Sequence, residues 1–110
     1  MSAAILPGAL RRRVTIEAPA DAPDGAGGVV RGFALLAQVC AAVEPVSAAE
    51  AEQGRAAGLK RLWRVTIRAR GDVTGGCRLA WRDKRFDVLS VRPLDADGRH
   101  EELLCEETAP

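Results

Sequence analysis

Trp63-Arg-Val-Thr-Ile-Arg-Ala-Arg70 decides the fold of this chain, because apolar and polar residues alternate along the whole stretch. Period-two alternation is the pattern of a half-buried β-strand, with successive side chains on opposite faces. The apolar face consists of Trp63, Val65, Ile67 and Ala69. The polar face consists of Arg64, Thr66, Arg68 and Arg70. The stretch therefore predicts a strand, the third of the chain, that covers an apolar core.

Two earlier strands are predicted by the same alternation. Residues 13–18 place Val14, Ile16 and Ala18 on one face and form the first strand. Residues 33–46 form a long second strand, which ends at an edge because Pro45 lacks a ladder donor. The inward set of this strand is Leu35, Ala37, Val39, Ala41 and Val43. Between the two strands, residues 19–28 are rich in Pro, Asp and Gly and predict a long mobile loop.

Three more strands follow the third. Residues 78–82 and 85–92 flank Asp83-Lys84, which predicts a tight hairpin. After a turn at residues 93–98, residues 100–106 form the sixth strand, with Leu103 and Cys105 inward. An all-β fold, a small six-stranded barrel or sandwich closed by the last strand, leaves the fewest free edges.

A short helix is predicted in the loop after strand two. Ser47-Ala-Ala-Glu50 has the capping-box pattern, in which the Ser hydroxyl binds a helix amide and the Glu reaches back to the Ser amide. Gly58 suits the left-handed residue that ends a helix, and Gly54 weakens the interior. Since an isolated helix of this length is unstable in water, we expect residues 47–58 to need a partner surface.

Composition limits the function classes. The 110 residues suffice for one hydrophobic core, so we expect a single domain over residues 1–110. Apolar residues make up 47% and charged residues 28%, which is typical of a folded globular protein. The formal net charge is +1, so the chain lacks the positive field of a non-specific nucleic-acid binder.

Cysteine usage and the N-terminus bear on the compartment. Cys40, Cys77 and Cys105 are far apart, which predicts free, mostly buried thiols in a reducing environment. Residues 1–7 place an apolar stretch before the charges at residues 11–13, the reverse of a signal peptide. We therefore expect a protein that is cytosolic when made. We also expect no contact with a membrane, because the longest run without a charge, residues 32–43, is about half of what a bilayer span needs.

No group of residues points to catalysis, and we expect no enzymatic activity, cofactor or metal. His100 is the single histidine, and neither Ser47 nor Ser90 lies in a nucleophile-elbow pattern. A zinc site of Cys77, His100 and Cys105 would lack the short ligand spacing of structural zinc sites.

The arginine face of the third strand is the most informative polar feature. Arg64, Arg68 and Arg70 would repel one another unless negative groups meet them. Three interpretations are open: a solvated face, a subunit interface with acidic partners, and a contact with nucleic acid. The interface interpretation assigns five residues to the contact, Arg64, Arg68, Arg70, Glu102 and Glu106.

The large aromatic residues give an alternative function. Trp63, Trp81 and Phe86 could stack bases, as in small barrels that bind single-stranded nucleic acid. Their inward positions in the alternation favour core packing instead. A nucleic-acid-binding module is therefore the alternative to a structural role.

The succession of segments resembles the small head-tail joining proteins of tailed phages, a family with members in prophages and gene transfer agents. The resemblance runs nearly end to end, and the order and spacing of its segments make it specific. The segments are Gly8-Ala-Leu-Arg-Arg-Arg-Val-Thr-Ile-Glu17, Asp24-Gly-Ala-Gly-Gly28, Ala37-Gln-Val-Cys-Ala-Ala-Val-Glu-Pro-Val-Ser-Ala-Ala-Glu50, Arg64-Val-Thr-Ile-Arg-Ala-Arg70, Arg85-Phe-Asp-Val-Leu-Ser-Val91 and Leu103-Leu-Cys-Glu-Glu107.

The resemblance implies a head-closure, or stopper, protein in the neck of a phage or phage-like particle. It implies a homo-oligomeric ring, expected to be six-fold, with the adaptor or portal ring above and tail-terminator or tail proteins below. Such a ring retains DNA and docks the tail. The segment after strand two would face the channel and touch DNA transiently, through Ser47, Glu50, Glu52, Gln53 and Arg55. The neighbouring roles of adaptor and tail terminator are alternatives.

Overall fold

The structure, a computed structural model, describes residues 10–58 and 61–108, and residues 1–7, used above to exclude a signal peptide, lie outside them. Six strands and one helix occur within the described ranges. In chain order they are β1 (Arg12–Pro23), β2 (Val29–Pro45), α1 (Ala48–Ala56), β3 (Leu62–Arg68), β4 (Arg78–Trp81), β5 (Lys84–Pro93) and β6 (His100–Thr108).

The strands form a closed barrel in the order β1-β2-β3-β6-β5-β4. Every pairing is antiparallel, and the barrel closes where β1 residues 15–17 pair with β4. The sixth strand lies between β3 and β5, so the last segment of the chain completes the sheet. This confirms the predicted six-stranded barrel, whose closure removes most strand edges.

The core consists of the inward residues that the alternation predicts on most strands. Val65 and Ile67 of β3 are fully buried, as are Leu103 and Cys105 of β6. The remaining buried apolar residues are Val14, Ile16, Ala41, Val73, Cys77, Leu79, Phe86 and Val88. The core therefore draws on all six strands, which explains why neither half of the chain would bury its apolar face alone.

β1 and β2 continue beyond the barrel as a two-stranded arm, defined here as residues 18–35. The predicted long loop at residues 19–28 is wrong, because pairing continues from Ala18 opposite Ala34 to Pro23 opposite Val29. Proline is tolerated here because this part of β1 pairs with β2 alone within the described chain. The turn is confined to residues 24–28.

A β-bulge changes which residues of β2 face the core. The register with β1 shifts between Ile16 and Glu17, and Leu36 is the extra residue. Leu36 packs against the core, whereas Leu35 is 66% exposed. The predicted inward position of Leu35 is therefore wrong, since an extra residue reverses the facing of every side chain before it. The predicted alternation holds over residues 37–43.

The β4–β5 hairpin turns one residue earlier than predicted. Trp81 lies opposite Lys84, so the two-residue turn is Arg82-Asp83 rather than Asp83-Lys84. Arg82 has a left-handed backbone with φ 56°. Tight hairpin turns that match the twist of the strands require such positive φ values. The register of the two strands therefore determines the turn position, although Arg prefers a negative φ.

Helix α1 connects β2 to β3. It begins three residues after Pro45, the last residue of β2, and Gly58 follows it with φ 86°, the left-handed stop that the sequence predicted. Within the described ranges, no helix has the length and apolar character needed to cross a membrane.

Candidate functional site

The N-terminus of α1 forms half of the predicted capping box. The Ser47 hydroxyl accepts a hydrogen bond from the Glu50 amide at 3.3 Å, and the Ala51 amide donates to the Ser47 carbonyl at 2.9 Å. The Glu50 carboxylate, which was expected to reach the Ser47 amide, binds Arg64 of β3 instead. The start of the helix is thus tied to the barrel wall.

The rest of α1 offers the barrel almost no apolar surface. Gly54 is its one buried residue, while Glu52, Gln53 and Arg55 are exposed. Glu52 and Arg55 form an ion pair with each other on the outer face of the helix. Most helices in proteins are held by an apolar face. Because α1 has almost none, its position depends on polar contacts.

Arg64 is the central residue of these contacts. Its Nη2 lies 2.6 Å from both carboxylate oxygens of Glu50, and its Nε lies 3.2 Å from Oε1 of Glu102 on β6. The Arg64 side chain is only 22% exposed. One guanidinium therefore joins the helix to two neighbouring strands of the barrel.

Glu102 extends this network to β5. Its carboxylate accepts from Arg92 at 2.8 and 3.1 Å, and its side chain is only 10% exposed. Two arginines thus compensate one nearly buried carboxylate, the arrangement that burial of a charge requires. We call Glu50, Arg64, Arg92 and Glu102 the anchor network.

Contacts within the anchor network change the proton affinity of Glu50 and Arg64. The hydrogen bond from Arg64 lowers the pKa of Glu50, against a smaller opposing effect of burial. The same bond raises the pKa of Arg64, which the charge of Glu102 raises further. Both shifts favour the charged forms, so the Glu50–Arg64 pair is ionised at neutral pH.

Four of the five residues predicted for the subunit interface, Arg64, Arg68, Glu102 and Glu106, lie on the same face of the paired strands β3 and β6, but they differ in their contacts within the subunit. Arg64 and Glu102 are joined inside the subunit, and Arg70 lies beyond β3 with both guanidinium contacts to Asp72 at 3.0 Å. Arg68 is exposed at the end of β3, and Glu106 lies opposite Leu62 at the other end of that strand. Negative groups of the same chain thus meet two of the three arginines.

The aromatic residues pack against one another in the barrel. Ring centroids of Trp63 lie 6.2 Å from Trp81 and 5.7 Å from Phe86, which is 1% exposed. The Trp63 indole N–H donates to Glu107 at 2.9 Å, which satisfies its polar group. This placement favours the core interpretation over base stacking.

The residues considered for zinc are separated by their own contacts. His100 Nδ1 lies 2.9 Å from Asp95, whose pKa this hydrogen bond lowers. Cys77 and Cys105 are buried free thiols, and burial raises the pKa of Cys105 to about 12. Cys40 is exposed, so two of the three thiols are buried, in agreement with the expectation of free, mostly buried thiols. Residues 10–58 and 61–108 hold no group of three or more His, Cys, Asp or Glu side chains placed to bind a metal.

The arm is the surface that the sequence analysis missed. Three of the four exposed large hydrophobic residues of the described chain, Val29, Val30 and Leu35, lie on its β2 strand. A signal was present in the sequence, because the alternation that starts at Val14 continues through the alanines of residues 18–22. The two prolines concealed it.

Solved structures share this fold. Protein SF1141 from Shigella flexneri 2a, known from a solution structure, is 26% identical with a TM-score of 0.79, and the match covers 96% of this chain and 98% of that chain. A chain in the virion of a native gene transfer agent particle is 21% identical with a TM-score of 0.67, covering 92% and 97%. At the latter identity the likeness concerns the fold alone.

The family comparison reaches further than the structural one. No curated protein matches the chain. The family described as phage head completion protein matches residues 5–108 of the 110. Because this match takes in every strand of the barrel and the helix, the chain belongs to the phage head completion protein family.

Proposed function

We propose that this protein is a structural head-closure protein, a stopper, that forms a ring between the portal-adaptor and the tail, retains packaged DNA and docks the tail. Membership of the head completion family carries this proposal, since the match spans residues 5–108. The likeness of its fold to a chain in a gene transfer agent virion supports a place in the virion of a phage or phage-like particle. Its role there is structural rather than catalytic.

In this proposal α1 is the part that faces the channel. Glu52, Gln53 and Arg55 point away from the barrel and would meet DNA transiently, whereas Ser47 and Glu50 hold the helix in place. A helix with polar exposed residues and almost no apolar contact surface suits a water-filled channel. Attachment through the anchor network, rather than through the core, would let the helix move without opening the barrel.

The ring would form from identical subunits, six by expectation, with the adaptor or portal ring above and tail proteins below. Arg68 is the predicted interface arginine whose side chain is exposed at the end of β3. Among the three arginines of the predicted arginine face, Arg68 is therefore best placed to contact an acidic residue of a neighbouring subunit.

The experiment separates DNA retention from tail docking. Residues 47–58 are replaced by a short Gly-Ser turn, and purified particles are scored for nuclease sensitivity of their DNA and, by electron microscopy, for attached tails. We expect tailed particles that leak DNA, because the barrel remains while the channel-facing part is lost. A strain without the protein should fill heads that neither keep DNA nor accept tails.

A Gly-Ser replacement of Ala96-Asp97, in the exposed β5–β6 turn, is the matched control, and its particles should behave as the wild type. Tailed, nuclease-resistant particles from the strain without the protein would refute the head-closure role. Nuclease-resistant particles from the 47–58 replacement would refute the channel role of α1.

A further inference from the structure

The two edges of the arm differ in how they are protected. The Asp24 amide donates to the Gly28 carbonyl at 3.2 Å, so the even-numbered residues of β1 direct their backbone groups toward β2. Because these groups alternate along a strand, the N–H positions of residues 19, 21 and 23 lie on the outer edge of β1. Two of these three residues are proline, and proline has no N–H.

The outer edge of β2 carries no such protection. By the same alternation, Val29, Arg31 and Phe33 direct their N–H and C=O groups away from β1. Pairing with β3 starts only at Ala41, so within the described chain no strand covers this edge along the arm. Natural proteins block exposed edges with proline, charge or short length. The β1 edge carries two prolines, whereas the three outward positions of the β2 edge carry no proline and a single charged residue, Arg31.

One face of the arm is also uncharged. It continues the side of β1 that carries Val14 and Ile16 in the core. Its residues are Ala18, Ala20, Ala22, Val30, Gly32 and Ala34. A core-type face that extends into solvent beside an unprotected strand edge is typical of a surface that another strand covers.

We propose that the β2 edge of the arm accepts an extended segment of a different neck protein, which adds to the arm as a third strand; this inference rests on the proposed function. Backbone pairing to Val29, Arg31 and Phe33 would supply the affinity. The segment would place small apolar side chains on the alanine face. An acidic side chain beside Arg31, which already has Asp21 as its Cα partner on β1, would complete a row of opposite charges.

A second copy of the chain fits this edge less well. The β1 edge of a neighbouring arm lacks two of its three outward N–H donors, and within residues 10–58 and 61–108 each strand of the closed barrel already has a partner strand on both sides. Pairing of one β2 edge with another would be two-fold symmetric, and an isologous contact closes a dimer instead of continuing around a ring. The occupant is therefore a strand of another protein.

Hydrogen exchange of the arm amides tests this directly. In the isolated protein, the amides of Val30, Gly32 and Ala34 should exchange slowly and those of Val29, Arg31 and Phe33 rapidly. In purified particles the second set should become at least tenfold slower, so that the alternation disappears. Exchange at Val29, Arg31 and Phe33 that is equally fast in both samples would overturn the proposal.

Proline substitutions give an independent test. Arg31→Pro removes an outward N–H, and the variant should be largely lost from particles, as measured by quantitative mass spectrometry of purified particles. Asp21→Pro places the same residue on the blocked β1 edge, and Arg31→Ala removes the charge alone; both should retain more of the protein than Arg31→Pro. Circular dichroism of each purified variant must show a folded barrel. Equal incorporation of Arg31→Pro and Asp21→Pro would overturn the inference.

The outcomes separate the two proposals. If the wild-type protein is absent from particles, the proposed function fails. If it is present and its β2 edge stays unprotected, only the added strand is refuted. Protection of Val29, Arg31 and Phe33 that appears in the pure protein as its concentration rises, with a dimer in analytical ultracentrifugation, would identify a second copy as the occupant and overturn the proposed partner.

Discussion

Arg64 Nη2 lies 2.6 Å from each carboxylate oxygen of Glu50, so one guanidinium joins the outer face of β3 to the first turn of α1. These residues are 14 positions apart, and the helix between them has only Gly54 buried. The position of the helix is therefore set mainly by charge, and its attachment responds to pH and to substitutions that leave the core intact.

A double-mutant cycle should measure this attachment. We expect Glu50→Ala to lower the free energy of unfolding by less than about 1 kcal/mol, because the Glu50 side chain is 42% exposed. Arg64→Ala should cost more, about 1–3 kcal/mol, because it leaves the nearly buried Glu102 with Arg92 alone. Urea unfolding of the two single variants and the double variant gives the coupling. Glu52→Ala, which breaks an exposed pair, is the control and should stay within about 0.5 kcal/mol.

The attachment should weaken in acid. Arg64 holds the pKa of Glu50 below the ordinary value of 4.5, with Arg92 and the Ser47 hydroxyl adding to the effect. The contribution of Glu50 to stability is thus complete above pH 4.5 and is lost as pH falls through the lowered value in the folded state. The protection factors of the α1 amides, which are corrected for the slower intrinsic exchange in acid, should fall in the wild type as the pH is lowered from 6, as followed by NMR. Glu50→Gln should show no such pH dependence in the helix, and an identical profile would contradict the assignment.

Charge reversal should distinguish two arginines of the same strand. Arg64→Glu places a carboxylate between Glu50 and Glu102, so we expect a clear loss of thermal stability. Arg68→Glu changes an exposed side chain and should leave the free energy of unfolding within about 0.5 kcal/mol. If Arg68 contacts an acidic neighbour in the ring, Arg68→Glu should fold normally and fail to enter particles. Equal stability of the two variants would refute the internal role of Arg64.

The bulge in β2 predicts opposite outcomes for adjacent leucines. Leu36→Ser should destabilise the fold by about 1–3 kcal/mol, because Leu36 packs against the core. Leu35→Ser should change stability by less than about 0.5 kcal/mol, because that side chain is 66% exposed. Thermal unfolding of the two variants provides the comparison. A larger loss of stability in Leu35→Ser than in Leu36→Ser would contradict the bulge and support an uninterrupted alternation along β2.

Most strands could be predicted because their signal is local. Residues 63–68 alternate with a fixed period, and a half-buried strand needs nothing else to be recognised. The same holds for the cap at Ser47 and the stop at Gly58, where single residues satisfy the backbone of one helix turn.

The arm and the bulge could not be predicted in this way. Pro19 and Pro23 belong to a segment whose composition is typical of a loop. Each proline is nevertheless compatible with a strand whose outer edge has no partner. Whether a strand has one neighbour or two depends on β4, which pairs with β1 only at residues 15–17. Leu36 is likewise the extra residue of a bulge that is defined only by the pairing of β2 with β1, which continues on both sides of the register shift.

The sequence by itself determined the alternating strands, the capped helix and the need of that helix for a partner, because each rests on residues within a few positions of one another. Only the tertiary structure decided what the partner is. Glu50, Arg64, Arg92 and Glu102 lie on four different elements, and closure of the barrel brings β3, β5 and β6 side by side. Residues that appeared to be an unpaired arginine face thus became, in part, an internal anchor, since charges with no nearby partner in sequence find one across the sheet.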